Sequence, residues 1–287
     1  MASMRDIKRR KSSIQSTGQI TKAMKLVSTV KLQKAKSRAE QARPYSSYMY
    51  EAMVDMLSRT KNINHPYLID SDNPKKAVIM ITSNRGLAGG YNNNVVKLLL
   101  GGELAASKED VLVYAIGRKG KDAVARRGYE IKADYSDVIN EPEYADARAI
   151  GEAVLKEYID GNIGEIYLAY TSFKNTVSHE PKLIKLLPIN VEDNGEEVNT
   201  KEALMTFEPD EEEILDAIIP KYINSLIYGA LVEAVASENG ARMQAMDSAT
   251  SNAEEMIADL SLKYNRARQG AITQELTEII AGADAIS

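Results

Sequence analysis

Proline is missing from both ends of this chain. The eight prolines stand at positions 44, 66, 74, 142, 181, 188, 209 and 220, so the first forty-three residues and the last sixty-seven contain none. Inside a helix, proline removes a backbone donor and clashes with the preceding turn. Its absence leaves both ends free to run as long, uninterrupted helices. The N-terminal segment places Ile7, Ile14, Thr21, Ser28, Ala35 and Ala42 at seven-residue steps, with Ile20, Met24 and Val27 beside them. Toward the other end Met246, Ala249, Ala253, Ile257 (or Met256), Leu260, Tyr264, Ala267 and Ala271 recur at alternating threes and fours. Both are coiled-coil seams, rich in small residues that let two backbones approach closely.

Length turns this pattern into a constraint. A helix of the last sixty-seven residues would be about 100 Å long at ~1.5 Å per residue, whereas a compact chain of this size has a radius of gyration of about 19 Å. Such a helix is expected to protrude and to need a partner along its length. Charge identifies part of that partner. Residues 1–43 carry twelve Lys or Arg against Asp6 and Glu40, and residues 208–287 carry fifteen Asp or Glu against five cations, so a net −5 conceals ends of +10 and −10. An antiparallel pairing of the two terminal helices is expected.

The middle follows another rule. "KKAVIMITS" (75–83), "DVLVYAIG" (110–117), "GEIYLAYTSF" (164–173) and "PKLIKLLPI" (181–189) are short apolar runs of strand type. They alternate with helical stretches at 92–105, 118–128 and 144–161. Alternation of this kind indicates an α/β unit with a largely parallel sheet. The expected fold is therefore α/β: a long antiparallel coiled coil of N- and C-terminal helices with an inserted Rossmann-like α/β domain. Its expected parts are a shaft helix over 1–60, a foot domain over 75–205 and a second shaft helix over 209–287. The stretch 192–202 reads as a solvated loop.

Most chemistries are excluded or poorly supported. There are no cysteines, so disulfides, zinc–thiolate sites and thiol catalysis are ruled out. His65 and His179 lie far apart in polar, Pro-flanked stretches and read as solvated, with no catalytic or metal-ligating role expected. "ITSNRGLAGGYNNN" (81–94) leads a strand through glycines into a helix, a setting that attracts phosphates. It lacks both the Lys–Ser/Thr of a P-loop and the GxGxxG spacing, and reads as a tight turn with glycines at positive φ and an Asn as helix cap. Carboxylate groups such as Glu254–Glu255 read as solvated helix faces. The basic N-terminus lacks stacking aromatics before Tyr45, which counts against nucleic acid. No secretory signal or membrane-spanning run is evident, which points to a cytosolic protein or one peripheral to a membrane through a partner. No cofactor is expected.

The ends carry a resemblance as well. "MASMRDIKRRKSSIQSTGQITKAMKLVSTVKLQKAK" resembles the opening of the gamma subunits of F-type (bacterial) ATP synthases. Ile272, Thr273, Glu275, Glu278, Gly282 and Ala283 match that family's C-terminal signature. "TSNRGLAGGYN" and "SLIYGALVEAVASE" extend the likeness through the middle. The resemblance implies a central rotor shaft, one copy per complex, inside a ring of alpha and beta subunits, with its α/β domain at the foot beside epsilon and the membrane c-ring. It implies no catalytic residue in this chain and a peripheral position on the cytoplasmic side of the cell membrane, without direct insertion.

Carried over position by position, the resemblance gives Met24, Glu238, Arg242, Arg268, Gln269 and Thr273 as catalytic-ring contacts. Met24 reads equally as a seam residue. Ile272, Leu276, Ile279, Ile280 and Ile286, beyond the last cation at Arg268, would form a bearing at the tip. Phe207 and Glu208 would lie near the c-ring. Gly18, Gly240 and Gly270 fall inside expected helices, where each costs up to about 1 kcal/mol relative to alanine. They imply either close backbone approach or a locally softer helix.

Overall fold

A computed structural model describes residues 4–59, 65–106, 108–176, 178–189 and 211–284. The two terminal segments are helices: α1, Met4–Arg59, and α6, Glu211–Asp284. Between them lie β1 (Lys76–Ile81), α2 (Tyr91–Leu99), α3 (Gly102–Ala106), β2 (Val111–Ile116), α4 (Arg118–Ala125), β3 (Glu130–Asp134), α5 (Tyr144–Ile159), β4 (Glu165–Phe173) and β5 (His179–Leu187). The chain divides into two compact units, Met1–Ser28 with Arg242–Ser287, and Thr29–Ala241.

Unit Thr29–Ala241 is built on a five-stranded sheet in the order β3-β2-β1-β4-β5. β1 pairs in parallel with β2 and β4, β2 in parallel with β3, and β5 closes the edge antiparallel to β4. The central strands are apolar on both faces, as a covered parallel sheet requires. Ala77, Ile79, Ile81, Leu112, Tyr114 and Ile116 pack on one side with α5 and α6. Val78, Met80, Val111, Val113 and Ala115 pack on the other with α2.

The first half of α6 belongs to this core. Leu215, Ile219, Ile223, Ile227, Leu231 and Ala234 recur at threes and fours, and each is at most 1% exposed. Their burial explains why α6 continues through Pro220. An interior proline costs about 3 kcal/mol, and each buried aliphatic side chain contributes about 1.5–3 kcal/mol. α1 likewise runs through Pro44 to bury Met53 and Val54 against Tyr222.

Two expectations need amendment. β3 is an additional strand: its residues alternate between exposed and half-buried, so "EIKAD" offers no apolar run. The single helix expected over 92–105 is two, separated where Gly102 takes φ 61°. The loop expected at 192–202 lies outside the described residues.

The histidines are the larger correction. His65 is only 4% exposed; its Nδ1 accepts the Tyr67 N–H at 3.3 Å and its Nε2 lies 3.3 Å from Asp216. His179 sits against Gly240 of α6, where an added Cβ would come within 2.6 Å of the ring Cε1. Burial pushes its pKa below 6.5, with only a weak opposing pull from the Thr176 backbone. Neither ring nitrogen makes a hydrogen bond of good geometry.

Candidate functional site

In the unit formed by residues 1–28 and 242–287, α1 and α6 pack antiparallel. Gly18 faces Ala253, where an added Cβ would stand 3.4 Å from the alanine Cβ. The hydroxyls of Thr21 and Thr250 meet at 2.8 Å. Lys25 Nζ reaches Asp247 Oδ1 at 2.5 Å. Every seam position named from the sequence within this unit is buried or half-buried: Ile7, Ile14, Thr21 and Ser28 on α1, and Met246, Ala249, Ala253, Leu260, Tyr264, Ala267 and Ala271 on α6. Ile257 is half-buried whereas Met256 is 52% exposed, so Ile257 is the seam residue. Small side chains and apolar contact hold the pair; the Lys25–Asp247 bridge is solvated and adds about 0–1 kcal/mol.

This register decides what happens at the end of α6. One residue back for each residue forward brings Met4 level with Ala267 and Arg268. Past Ala271, the last half-buried seam residue, residues 272–283 are exposed. Ile272, Leu276, Ile279 and Ile280 are 47–68% exposed. At about 100° per residue these four fall within one stripe about 100° wide, while Glu275, Glu278 and Gln274 occupy the rest of the circumference. The apolar character of the tip is thus one-sided. Gln269, Thr273 and Thr277 form a backbone-linked ladder beside it: Thr273 donates to Gln269 O at 2.9 Å and Thr277 to Thr273 O at 2.8 Å.

The other expected contact residues are spread along the helices. Arg268, Gln269 and Thr273 are exposed, Met24 and Glu238 half-buried, and Arg242 buried at 9% exposure. Ile286, Phe207 and Glu208 lie outside the described residues. On α1, Ile20, Leu26, Val27 and Val30 are 58–71% exposed. Ile20 and Val27 therefore stand off the seam, which their position beside it in the heptad permits.

The glycine-rich turn after β1 has the outline of a phosphate cradle, but protein atoms fill it. The free N–H groups at the start of α4 are the natural anion ligands. Arg118 N–H donates to Asn84 Oδ1 at 3.0 Å, Lys119 N–H to Ser83 O at 3.0 Å, and Gly120 N–H to Thr82 Oγ1 at 3.0 Å. Nearby cations are also engaged: Lys121 meets Asp134 at 2.8 Å, holding that carboxyl below its usual range with help from Ser136, and Arg118 lies 3.6 Å from Asp137. The expected cap is corrected in detail. Of the three glycines only Gly89 has positive φ, Leu87 adopts φ 61°, and Gly90 rather than an asparagine caps α2. The capping asparagine is Asn84, and it serves α4.

A family model described as ATP synthase matches residues 3–286. The ATP synthase gamma chain of Lachnoclostridium phytofermentans is 67% identical over the full length of both chains. The chain belongs to the ATP synthase gamma family. The gamma chain of Alkaliphilus metalliredigens is 44% identical, over 99% of this chain and 98% of its own. The sodium-ion-specific gamma chain of Acetobacterium woodii is 39% identical, over 99% of each. Among solved structures, a chain of the Euglena gracilis mitochondrial ATP synthase superposes with a TM-score of 0.69 at 18% identity, over 99% of this chain and 94% of its own. The long terminal helices around a five-stranded α/β unit are thus the gamma-family fold. For a gamma-family chain the filled cradle is expected scaffolding, because Thr82, Ser83 and Asn84 knit the β1 turn to α4.

Proposed function

We propose that this chain is the central rotor shaft of an F-type ATP synthase, coupling ion flow through the membrane c-ring to ATP synthesis or hydrolysis in the catalytic beta subunits. The observation that carries the reading is the end of α6. It carries an exposed, one-sided apolar stripe at Ile272, Leu276, Ile279 and Ile280, which is useful to a shaft end seated in an apolar sleeve. Residues 1–60 and 209–287 are the shaft and 75–205 the foot, facing epsilon and the c-ring, with Phe207 and Glu208 near the latter. One copy stands inside the ring of alpha and beta subunits, peripheral to the cell membrane on its cytoplasmic side.

The chain itself is non-catalytic. Its role is to make each rotational position favour a different conformation in each surrounding catalytic subunit, a population shift set by differential contact energy. Met24, Glu238, Arg242, Arg268, Gln269 and Thr273 make or support those contacts, and an asymmetric surface is what the mechanism needs. The one-sided tip stripe and the exposed Ile20–Val30 face of α1 supply such asymmetry.

The test is truncation. Removal of residues 276–287 takes away only the last turns of α6 and leaves the chain folded and the unfolding of the α/β unit unchanged, while the complex assembles less well or couples ATP hydrolysis to ion transport less tightly. Collapse of the α/β unit on truncation would overturn the reading. Nucleotide binding by the isolated chain at micromolar concentration, measured by calorimetry, would favour an enzyme instead.

A further inference from the structure

Between residues 4–13 of α1 and 260–274 of α6 the seam opens into a groove of about 1320 Å³. Its apolar lining comes from Met4, Ile7, Leu260, Ala267 and Ala271, and its polar lining includes Arg10, Arg266 and one acid, Asp6. Gly270 also lines it, and an added Cβ there would meet no atom within 4 Å. Gly270 is thus unlike Gly18 and Gly240: it leaves space open. The surrounding charge is one-sided. Residues 4–13 hold Arg5, Lys8, Arg9, Arg10 and Lys11 against Asp6 alone, and residues 260–274 hold Lys263, Arg266 and Arg268 with no acid. Arg9 is tied to Asp6 and Lys263 to Asp259, whereas Arg10 and Arg266 have no ion pair among the described residues.

We infer that this groove is a binding site for a small amphipathic organic anion, an alkyl or aryl body carrying one carboxylate or sulfonate. The apolar floor takes the body, since ligand sites are concave and mostly apolar with a few placed polar groups. Arg10 and Arg266 take the head, because a guanidinium matches a carboxylate or sulfonate with paired donors. The inference does not depend on the rotor reading; it concerns the isolated chain.

The chain has no tryptophan, so an external reporter is needed. The full-length chain is titrated with 8-anilinonaphthalene-1-sulfonate, and the dye is then displaced with laurate or with dodecyltrimethylammonium, both below their micellar range. Laurate displaces the dye and the cation does not. Gly270→Leu, which fills the groove and suits a helix, weakens laurate binding at least tenfold. Arg10→Gln with Arg266→Gln weakens it to a similar degree. Circular dichroism verifies that each variant stays helical. Equal displacement by the cationic amphiphile, or unchanged laurate binding in the folded Gly270→Leu chain, would overturn the inference.

Discussion

Gly240 and His179 form a contact whose energetics can be worked out in advance. The glycine lies in α6, and a methyl at position 240 would stand 2.6 Å from Cε1 and 2.9 Å from Nε2 of the His179 ring. That ring cannot simply swing away, because it packs against Phe173 with centroids 5.9 Å apart. Overpacking of this kind costs about 1–3 kcal/mol, while glycine to alanine inside a helix gains about 1 kcal/mol. The expected net effect of Gly240→Ala is a loss of about 1 kcal/mol. With His179→Ala the obstacle is gone, and the same change should stabilise by up to about 1 kcal/mol. The sign reverses, and the coupling between the two sites is about 1–3 kcal/mol. Urea unfolding of the four chains, followed by far-ultraviolet circular dichroism, measures it. If Gly240→Ala stabilises the chain with His179 in place, the glycine is not there to admit the ring and the reasoning fails.

His179 also predicts a pH dependence. Burial lowers its folded pKa below 6.5, so the folded state binds fewer protons than the unfolded one. Its contribution is complete above about pH 6.5 and is lost as pH falls below that value; His179→Phe should flatten that part of the stability–pH curve. Thr82→Val removes the hydroxyl that accepts from Gly120 N–H and donates to Gly117 O; Gly117 O keeps the Lys121 N–H, but the buried Gly120 N–H is left unpaired. Thermal unfolding should register a loss of about 1–3 kcal/mol. Lys25→Ala or Asp247→Ala breaks a solvated pair, and either should cost no more than about 1 kcal/mol, less in high salt. A larger loss in a denaturant titration would mean that charge rather than seam packing holds the two helices.

The features legible beforehand share one property. Helix and strand periodicity is local, set by 3.6 residues per turn and by alternating faces, so proline-free ends, heptads and apolar runs map onto structure directly. Ile7 to Ala42 lie on the buried side of α1, and "AVIMI" and "VLVYAI" are strands covered on both faces. Where the local signal was weak it failed: β3 is a half-exposed edge strand with no apolar run. The filled cradle was also beyond reach, because the atoms that satisfy α4 come from a turn more than thirty residues earlier.

Gly18, Gly240 and Gly270 draw the boundary most clearly. The sequence determined that three glycines lie in long helices, and nothing in their flanking residues separates them. Only the tertiary structure decided that Gly18 lies against Ala253 with room for a methyl, Gly240 admits His179 and Gly270 faces an open groove. His65 and His179 read as solvated for the same reason, since neighbours such as Asp216 and Gly240 reach them from α6, far along the chain. Backbone geometry repeats along the chain and can be read from it. Which distant side chain arrives at a given position depends on the path of the whole chain.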